Sequence, residues 1–224
     1  MSYDDAVSKI KIPPYSKKQE LFNSLSHLLG LPLSLVVIFF AIYKFSINSI
    51  SLLSFTGLLI FALTIVIVYS FSAIYHYLDP KTFNKKIFRL LDHAVIYLLI
   101  AGTYTPICFH LIDKGMAAGL IIIIMEWALA LIGILFSLLL FNIPFIRVIS
   151  LFLYIVMGWL LLFFAWFIEL DLLAFTFILS GGITYTIGAL IYVLGRKNLN
   201  FHSLFHIFVL LSTILQIVGV LLLF

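Results

Sequence analysis

His202 and His206 stand four residues apart, and so do Ser72 and His76. On an α-helix that spacing places two side chains about one turn apart on a single face. Two imidazoles so placed can bind one metal ion, and His76 supplies a third for a three-histidine set. Three neutral imidazoles with an open fourth position describe a catalytic zinc site. Such ligands leave the ion its full charge, which brings the pKa of a water at that position to about 7. Asp92 offers a carboxylate that could hold this water or take its proton, and Ser72 could hydrogen-bond the water or a substrate oxygen. Three imidazoles and a carboxylate suit Zn2+ better than Mg2+ or Ca2+. A plainer reading stays open beside this one. A histidine pair near a helix start also serves as an interfacial anchor or an interhelical hydrogen bond, and a serine such as Ser72 as a packing or backbone-bonding residue.

These side chains need elements to position them, and the composition says which kind. Of 224 residues, 64% are apolar and only 10% are charged. The mean hydropathy is +1.26. A water-soluble domain is about half apolar and a quarter charged, so the chain reads as an all-α integral membrane protein. A hydrocarbon core about 30 Å thick needs about 20 apolar residues per helix. Seven runs meet that need, at 21–44, 51–77, 87–111, 117–140, 144–167, 172–194 and 201–224. Continuous runs such as Ile121–Ile124 do not alternate as barrel strands do. The loops are too short for a soluble domain. The net charge of +4 punctuates apolar runs instead of forming a patch, which argues against nucleic acid as a partner. Cys108 is the single cysteine, so there is no disulfide framework. Residues 1–20 form a polar tail in which Pro13 and Pro14 break any helix before the first span, and residues 21–224 form the seven-helix domain. No short apolar core with a small-residue cleavage site precedes the first span, which is expected to act as an uncleaved anchor.

Direction follows from Lys and Arg. The tail and the second, fourth and sixth loops carry Lys9, Lys11, Lys17, Lys18, Lys81, Lys85, Lys86, Arg89, Arg147, Arg196 and Lys197, eleven of the thirteen cations. The other side has only Lys44 and Lys114. The N-terminus is therefore expected in the cytoplasm and the C-terminus outside, with the protein in the cell membrane. With that direction, Ser72 and His76 end span two, Asp92 and His93 open span three, His202 and His206 open span seven, and Glu20, Asn23 and His27 begin span one. All fall in one layer just inside the cytoplasmic face. Ionisable groups within a membrane are costly and mark function, and chance would scatter them over both leaflets. Asp92 is the one acid of the layer set inside a span. His93 lies about 100° round the helix from it, so both cannot face one ion equally. Glu20 and His27 also have a plain reading at headgroup level, Glu20 as a favourable charge at a helix start. His110 reads as interfacial, Glu126 lies near mid-membrane, Pro106 should kink span three, and Gly181-Gly182 should allow close packing in span six.

Four segments together resemble the haemolysin III family, the bacterial branch of the progestin and adipoQ receptor superfamily. They are Glu20-Leu-Phe-Asn23-Ser-Leu-Ser-His27, Ser72-Ala-Ile-Tyr-His76, Asp92-His93-Ala-Val-Ile-Tyr97 running on to Ala101-Gly102-Thr103-Tyr104-Thr105-Pro106, and His202-Ser-Leu-Phe-His206. The resemblance runs from residue 20 to the end of the chain. It implies seven helices with the N-terminus inside, zinc held in the inner leaflet by His76, His202 and His206, and Asp92 and Ser72 around a zinc-bound water. The wider superfamily includes alkaline ceramidases and adiponectin receptors, which implies hydrolysis of lipid amides. The bacterial branch is named for haemolytic, pore-forming behaviour and is linked to membrane homeostasis.

Two functions follow as expectations. In the first, the protein is a zinc-dependent hydrolase of a membrane-lipid amide or ester, with Asp92 as base. In the second, it is a non-enzymatic pore, transporter or sensor with a structural zinc, where Asp92 would be a direct fourth ligand. The outer half of the chain is almost devoid of ionisable groups, which does not suit an ion path.

Overall fold

The computed structural model describes residues 2–143, 145–194 and 198–224, and these contain helices and turns but no strand. A short helix α1 (Tyr3–Ser8) precedes the apolar part. Helices α2 (Lys17–Leu28) and α3 (Leu31–Ser46) follow one another and count as one span. With α4 (Leu52–Tyr77), α5 (Phe83–Asp113), α6 (Ala117–Leu139), α9 (Leu172–Leu194) and α10 (Asn200–Leu221), they make six helices long and apolar enough to cross a membrane. Between α6 and α9 lie two shorter helices, α7 (Ile146–Gly158) and α8 (Leu160–Phe163). Large apolar side chains such as Phe39, Leu63, Ile124 and Leu211 are exposed on the outer faces, as a lipid-solvated bundle requires.

Local chemistry explains the helix ends. Ser16 and Gln19 form a capping box at the start of α2, and Ser51 and Thr82 cap α4 and α5 through their hydroxyls. Asn48 and Gly115, with φ of 55° and 76°, follow the ends of α3 and α5. At each, the next amide (Ser49 N, Met116 N) reaches back to a carbonyl five residues earlier (Lys44 O, Leu111 O), both at 2.9 Å. This left-handed stop makes two tight turns at one end of the bundle. At the other end, Asp79 before Pro80 stops α4, and its carboxylate and carbonyl accept from Lys81 N and Thr82 Oγ1. That turn returns the chain directly into α5.

The structure differs from the sequence reading in the fifth run. Instead of one helix over 144–167, α7 ends at Gly158 and the chain continues as α8 and a 3₁₀ turn at Ala165–Phe167. The cause is Tyr104 on α5. Its hydroxyl donates to Gly158 O at 2.9 Å and accepts from Leu161 N at 3.2 Å. Leu162 N then bonds Trp159 O instead of Gly158 O. A side chain inserted into the ladder in this way breaks a helix. Helix α5 runs on through Pro106, and Gly57 of α4 lies against the Pro106 backbone, where an added Cβ would sit 3.0 Å from its Cα. Of the Gly181-Gly182 pair only the first is a close contact, against Gln216. Pro144, where the fifth run was expected to begin, and Arg196 and Lys197, counted above for the inner side, lie outside the described residues.

Helix α5 is the most enclosed of the long helices, packed between α4 and α6. Helix α2 lies against α4 and α10, and α10 against α9. The end of α4 and the starts of α2, α5 and α10 therefore meet at one end of the bundle.

Candidate metal centre

At that end three buried histidines converge. His76 comes from the last turn of α4, and His202 and His206 from the first turns of α10. One ring nitrogen of each lies within 4.8 Å of the others. The Nε2 of His202 is 3.4 Å from His76 Nε2 and 3.1 Å from His206 Nε2. What lies behind two of the rings sets the direction of their lone pairs. His76 Nδ1 is 2.7 Å from Glu20 Oε2, an oxygen that can only accept, so Nδ1 carries the proton. His206 Nδ1 faces Ser26 Oγ at 3.4 Å, and that hydroxyl already donates to Asn23 O. In the neutral rings both Nε2 atoms then point a lone pair at His202. Three converging nitrogens, two of them on rings whose outer N–H is fixed by a carboxylate or a hydroxyl, could hold a metal ion.

Glu20 is itself anchored. Lys85 Nζ donates to Glu20 Oε1 at 2.5 Å and to Leu78 O at 3.0 Å, and it lies 5.1 Å from the Tyr75 ring centroid. Lys85 is wholly buried. A buried cation needs a charge partner and further hydrogen bonds; Glu20 of α2 supplies the first and Leu78 O, just after α4, the second.

Asp92 does not join the three-histidine group. It is partly exposed on α5, with the Ser72 hydroxyl of α4 beside it. His93 is not in the three-histidine group either. Its Nδ1 bonds Arg89 O at 2.8 Å and its Nε2 lies 3.2 Å from Tyr192 Oη on α9. The Tyr192 ring in turn stands 6.0 Å from the His202 ring. His93 Nδ1 also lies 4.0 Å from Asp92 Oδ2.

The N-terminal segment folds over this end of the bundle. Ala6 and Val7 of α1 are buried against α5, and Tyr3 meets Phe141 edge-on at 6.0 Å. Lys86 Nζ donates to Ser8 O and the Arg89 guanidinium to Lys11 O. Tyr15 then stacks on His202, centroids 5.0 Å apart at 24°, and stands 5.9 Å from His76. Burial, with Tyr192 nearby, raises the Tyr15 phenol above its ordinary pKa. Gln19 Nε2 closes the edge on Asn200 Oδ1 at 2.9 Å.

The family model described as haemolysin-III related matches residues 15–217. The chain belongs to this family. It is 33% identical over 199 residues to a hemolysin-3 homolog of Bacillus subtilis (strain 168), covering 88% of this chain and 90% of the relative. To hemolysin-3 of Bacillus cereus it is 34% identical over 198 residues, 86% of each chain. As a haemolysin-III protein with six membrane-length helices, it is a membrane protein.

In this haemolysin-III chain, the structure brings together His76, His202 and His206 and pairs Ser72 with Asp92 next to them on α4 and α5. Glu20, which a headgroup reading would have left at the surface, lies behind His76. Lys85, counted as a loop cation, is turned inward, and Tyr15 covers His202. Neither carried a sequence signal, because each meets the histidines across helices and not along one. His110 is half-buried against Phe224 at the opposite end. Glu126 is fully buried, and neither carboxyl oxygen has a hydrogen-bond partner among the described residues.

Proposed function

We propose that this protein is a seven-helix membrane hydrolase with zinc at His76, His202 and His206, acting on a lipid amide or ester. The observation that carries the reading is the convergence of three Nε2 atoms, with Asp92 outside the group and beside Ser72, one turn before His76. Nitrogens about 2.0–2.1 Å from a tetrahedral ion lie about 3.3 Å from each other, and the measured separations are 3.1 and 3.4 Å. When bound, the ion supplies Lewis acidity and makes a water nucleophilic near neutral pH.

The chain's own groups do the rest. Glu20 keeps the proton on His76 Nδ1 and so keeps Nε2 a donor of electrons. Lys85 holds Glu20 in place. Asp92 is the base that receives a proton from the attacking water and passes it to the leaving group. Ser72 orients the Asp92 carboxylate. Tyr15 shuts out bulk water from the side of the N-terminal segment. Such a site, set within a helical membrane bundle, suits a bond near the headgroup–acyl boundary.

The seventh crossing in this reading is α7 with α8. Residues 146–163 at about 1.5 Å each give about 27 Å, close to the hydrocarbon thickness. The N-terminal segment, residues 1–20, and the site end lie on the cytoplasmic side, as the Lys and Arg asymmetry favours, and residues 21–224 form the transmembrane domain.

The alternative reading, a haemolysin-like pore or membrane-homeostasis sensor with a structural zinc, draws on the names hemolysin-3 and hemolysin-3 homolog of the relatives. The separation of Asp92 from the three-histidine group counts against a closed, four-ligand structural site. The test is metal-dependent release of fatty acid from a panel of lipid amides and esters by purified protein, beside leakage of dye-filled liposomes. Turnover that disappears with the metal supports the hydrolase. Leakage that depends on the metal, without turnover, supports the pore.

A further inference from the structure

Asn23 and His27 are four residues apart on α2, on the face toward α4 and α10. Asn23 is 0% exposed and His27 4%. None of their four side-chain polar atoms (Asn23 Oδ1 and Nδ2, His27 Nδ1 and Nε2) has a hydrogen-bond partner among the described residues. Other polar groups near them are paired, although Ser203 Oγ on α10 has no partner among the described residues. Tyr69 Oη and Tyr185 Oη both bond Thr213 Oγ1, at 2.8 and 2.6 Å, and Ser24 Oγ donates to Ala73 O at 3.0 Å. Elsewhere in the described core, unpartnered side-chain atoms occur at isolated residues such as Glu126 and Gln216. Native interiors rarely leave buried donors and acceptors unmet, and packing gives no reason to gather four on one helical turn.

Their position is beside the metal centre. The His27 ring stands edge-on to His206, centroids 4.0 Å apart at 83°, and 5.2 Å from the Tyr69 ring. The nearest carboxylate on the same helix, Glu20, is already taken by His76 and Lys85. The pair is therefore neutral in character. Asn offers donors and an acceptor, and a neutral imidazole offers one of each. Neither Asn23 nor His27 has a side-chain cation as hydrogen-bond partner among the described residues, and Lys85 is taken by Glu20, so the pair itself offers a carboxylate or phosphate no charge partner. An ester has only acceptors and would leave Asn23 Oδ1 and one imidazole nitrogen unmet. A hydroxyl or carboxamide satisfies both kinds of group.

We infer that Asn23 and His27 form a polar subsite of the metal centre that takes a neutral group able both to give and to accept hydrogen bonds, a hydroxyl or a carboxamide. This rests on the metal-centre reading of the three histidines.

The test uses purified, zinc-supplied full-length protein and four probes of one chain length: octanamide, octanol, methyl octanoate and octanoate. Binding is read by thermal-shift titration, and metal content is measured on the same samples. Wild type should bind octanamide and octanol at least about tenfold more tightly than the ester and the acid. Asn23→Leu and His27→Phe should bring all four probes to within about twofold of one another, with metal content unchanged. A wild type that ranks the four equally overturns the inference, as does a variant that keeps the ranking. A pair that only binds water falls under the first of these. Should a variant not fold, the wild-type ranking decides. Metal present without ranking removes the subsite alone. Ranking present in a protein that takes up no metal removes the metal-centre reading and leaves the pocket.

Discussion

Nδ1 of His76 on α4 is held 2.7 Å from Oε2 of Glu20 on α2, and the other Glu20 oxygen is 2.5 Å from the buried Lys85 Nζ. A partner behind a metal-ligating histidine fixes its tautomer, and losing that partner costs about 10–100-fold in metal affinity. Glu20→Gln should show that loss in a competitive zinc titration. It should also lower Tm, because removing one member of a buried pair costs about 3–5 kcal/mol. The double variant Glu20→Gln/Lys85→Met should recover Tm and leave metal affinity low. Affinity that returns together with Tm would mean Glu20 acts only by holding the fold.

Asp92 with Ser72 beside it is expected to act on the proton and not on the metal. Asp92→Asn should retain metal at the wild-type ratio and lose about 10²–10⁴-fold in lipid amide or ester turnover. Ser72→Ala should lose less, since the carboxylate remains. Loss of metal in Asp92→Asn would make Asp92 a ligand and shift the account toward a structural site.

Tyr15 covers the His202 ring and Gln19 ties the edge to Asn200. Tyr15→Ala should speed removal of the metal by a chelator, followed as the decay of bound zinc. Tyr15→Phe should match wild type, because the stacked ring and not the hydroxyl does the covering. Equal rates for all three proteins would place the route of exchange elsewhere.

Glu126 is not in the three-histidine group, and neither of its buried carboxyl oxygens has a hydrogen-bond partner among the described residues. Burying such a group costs about 1–3 kcal/mol. Glu126→Met, of similar length, should therefore raise Tm. A fall in Tm would show that the carboxyl meets a group that stabilises the fold.

The parts of the site that could be read from the sequence are those lying along single helices. His202/His206 and Ser72/His76 declare themselves by spacing, and Asp92 by its depth in a span. The six membrane-length helices follow from apolar runs and match the expected bounds to within a few residues. What could not be read depends on contacts between helices. The Glu20–Lys85 pair closes over a separation of 65 residues, and the break between α7 and α8 is made by a tyrosine 54 residues before Gly158. Helix α1 and the covering Tyr15 belong to a segment whose two prolines suggest only an irregular tail, although Ser16-Lys-Lys-Gln19 is a readable capping box.

The account turns on whether the three converging histidines hold a metal. The direct measurement is metal content per chain by elemental analysis of detergent-purified protein, wild type beside His202→Ala/His206→Ala, with thermal unfolding to show that both are folded. The account predicts close to one zinc per wild-type chain and essentially none in the variant. A folded wild type that carries no metal even after zinc is supplied would contradict it.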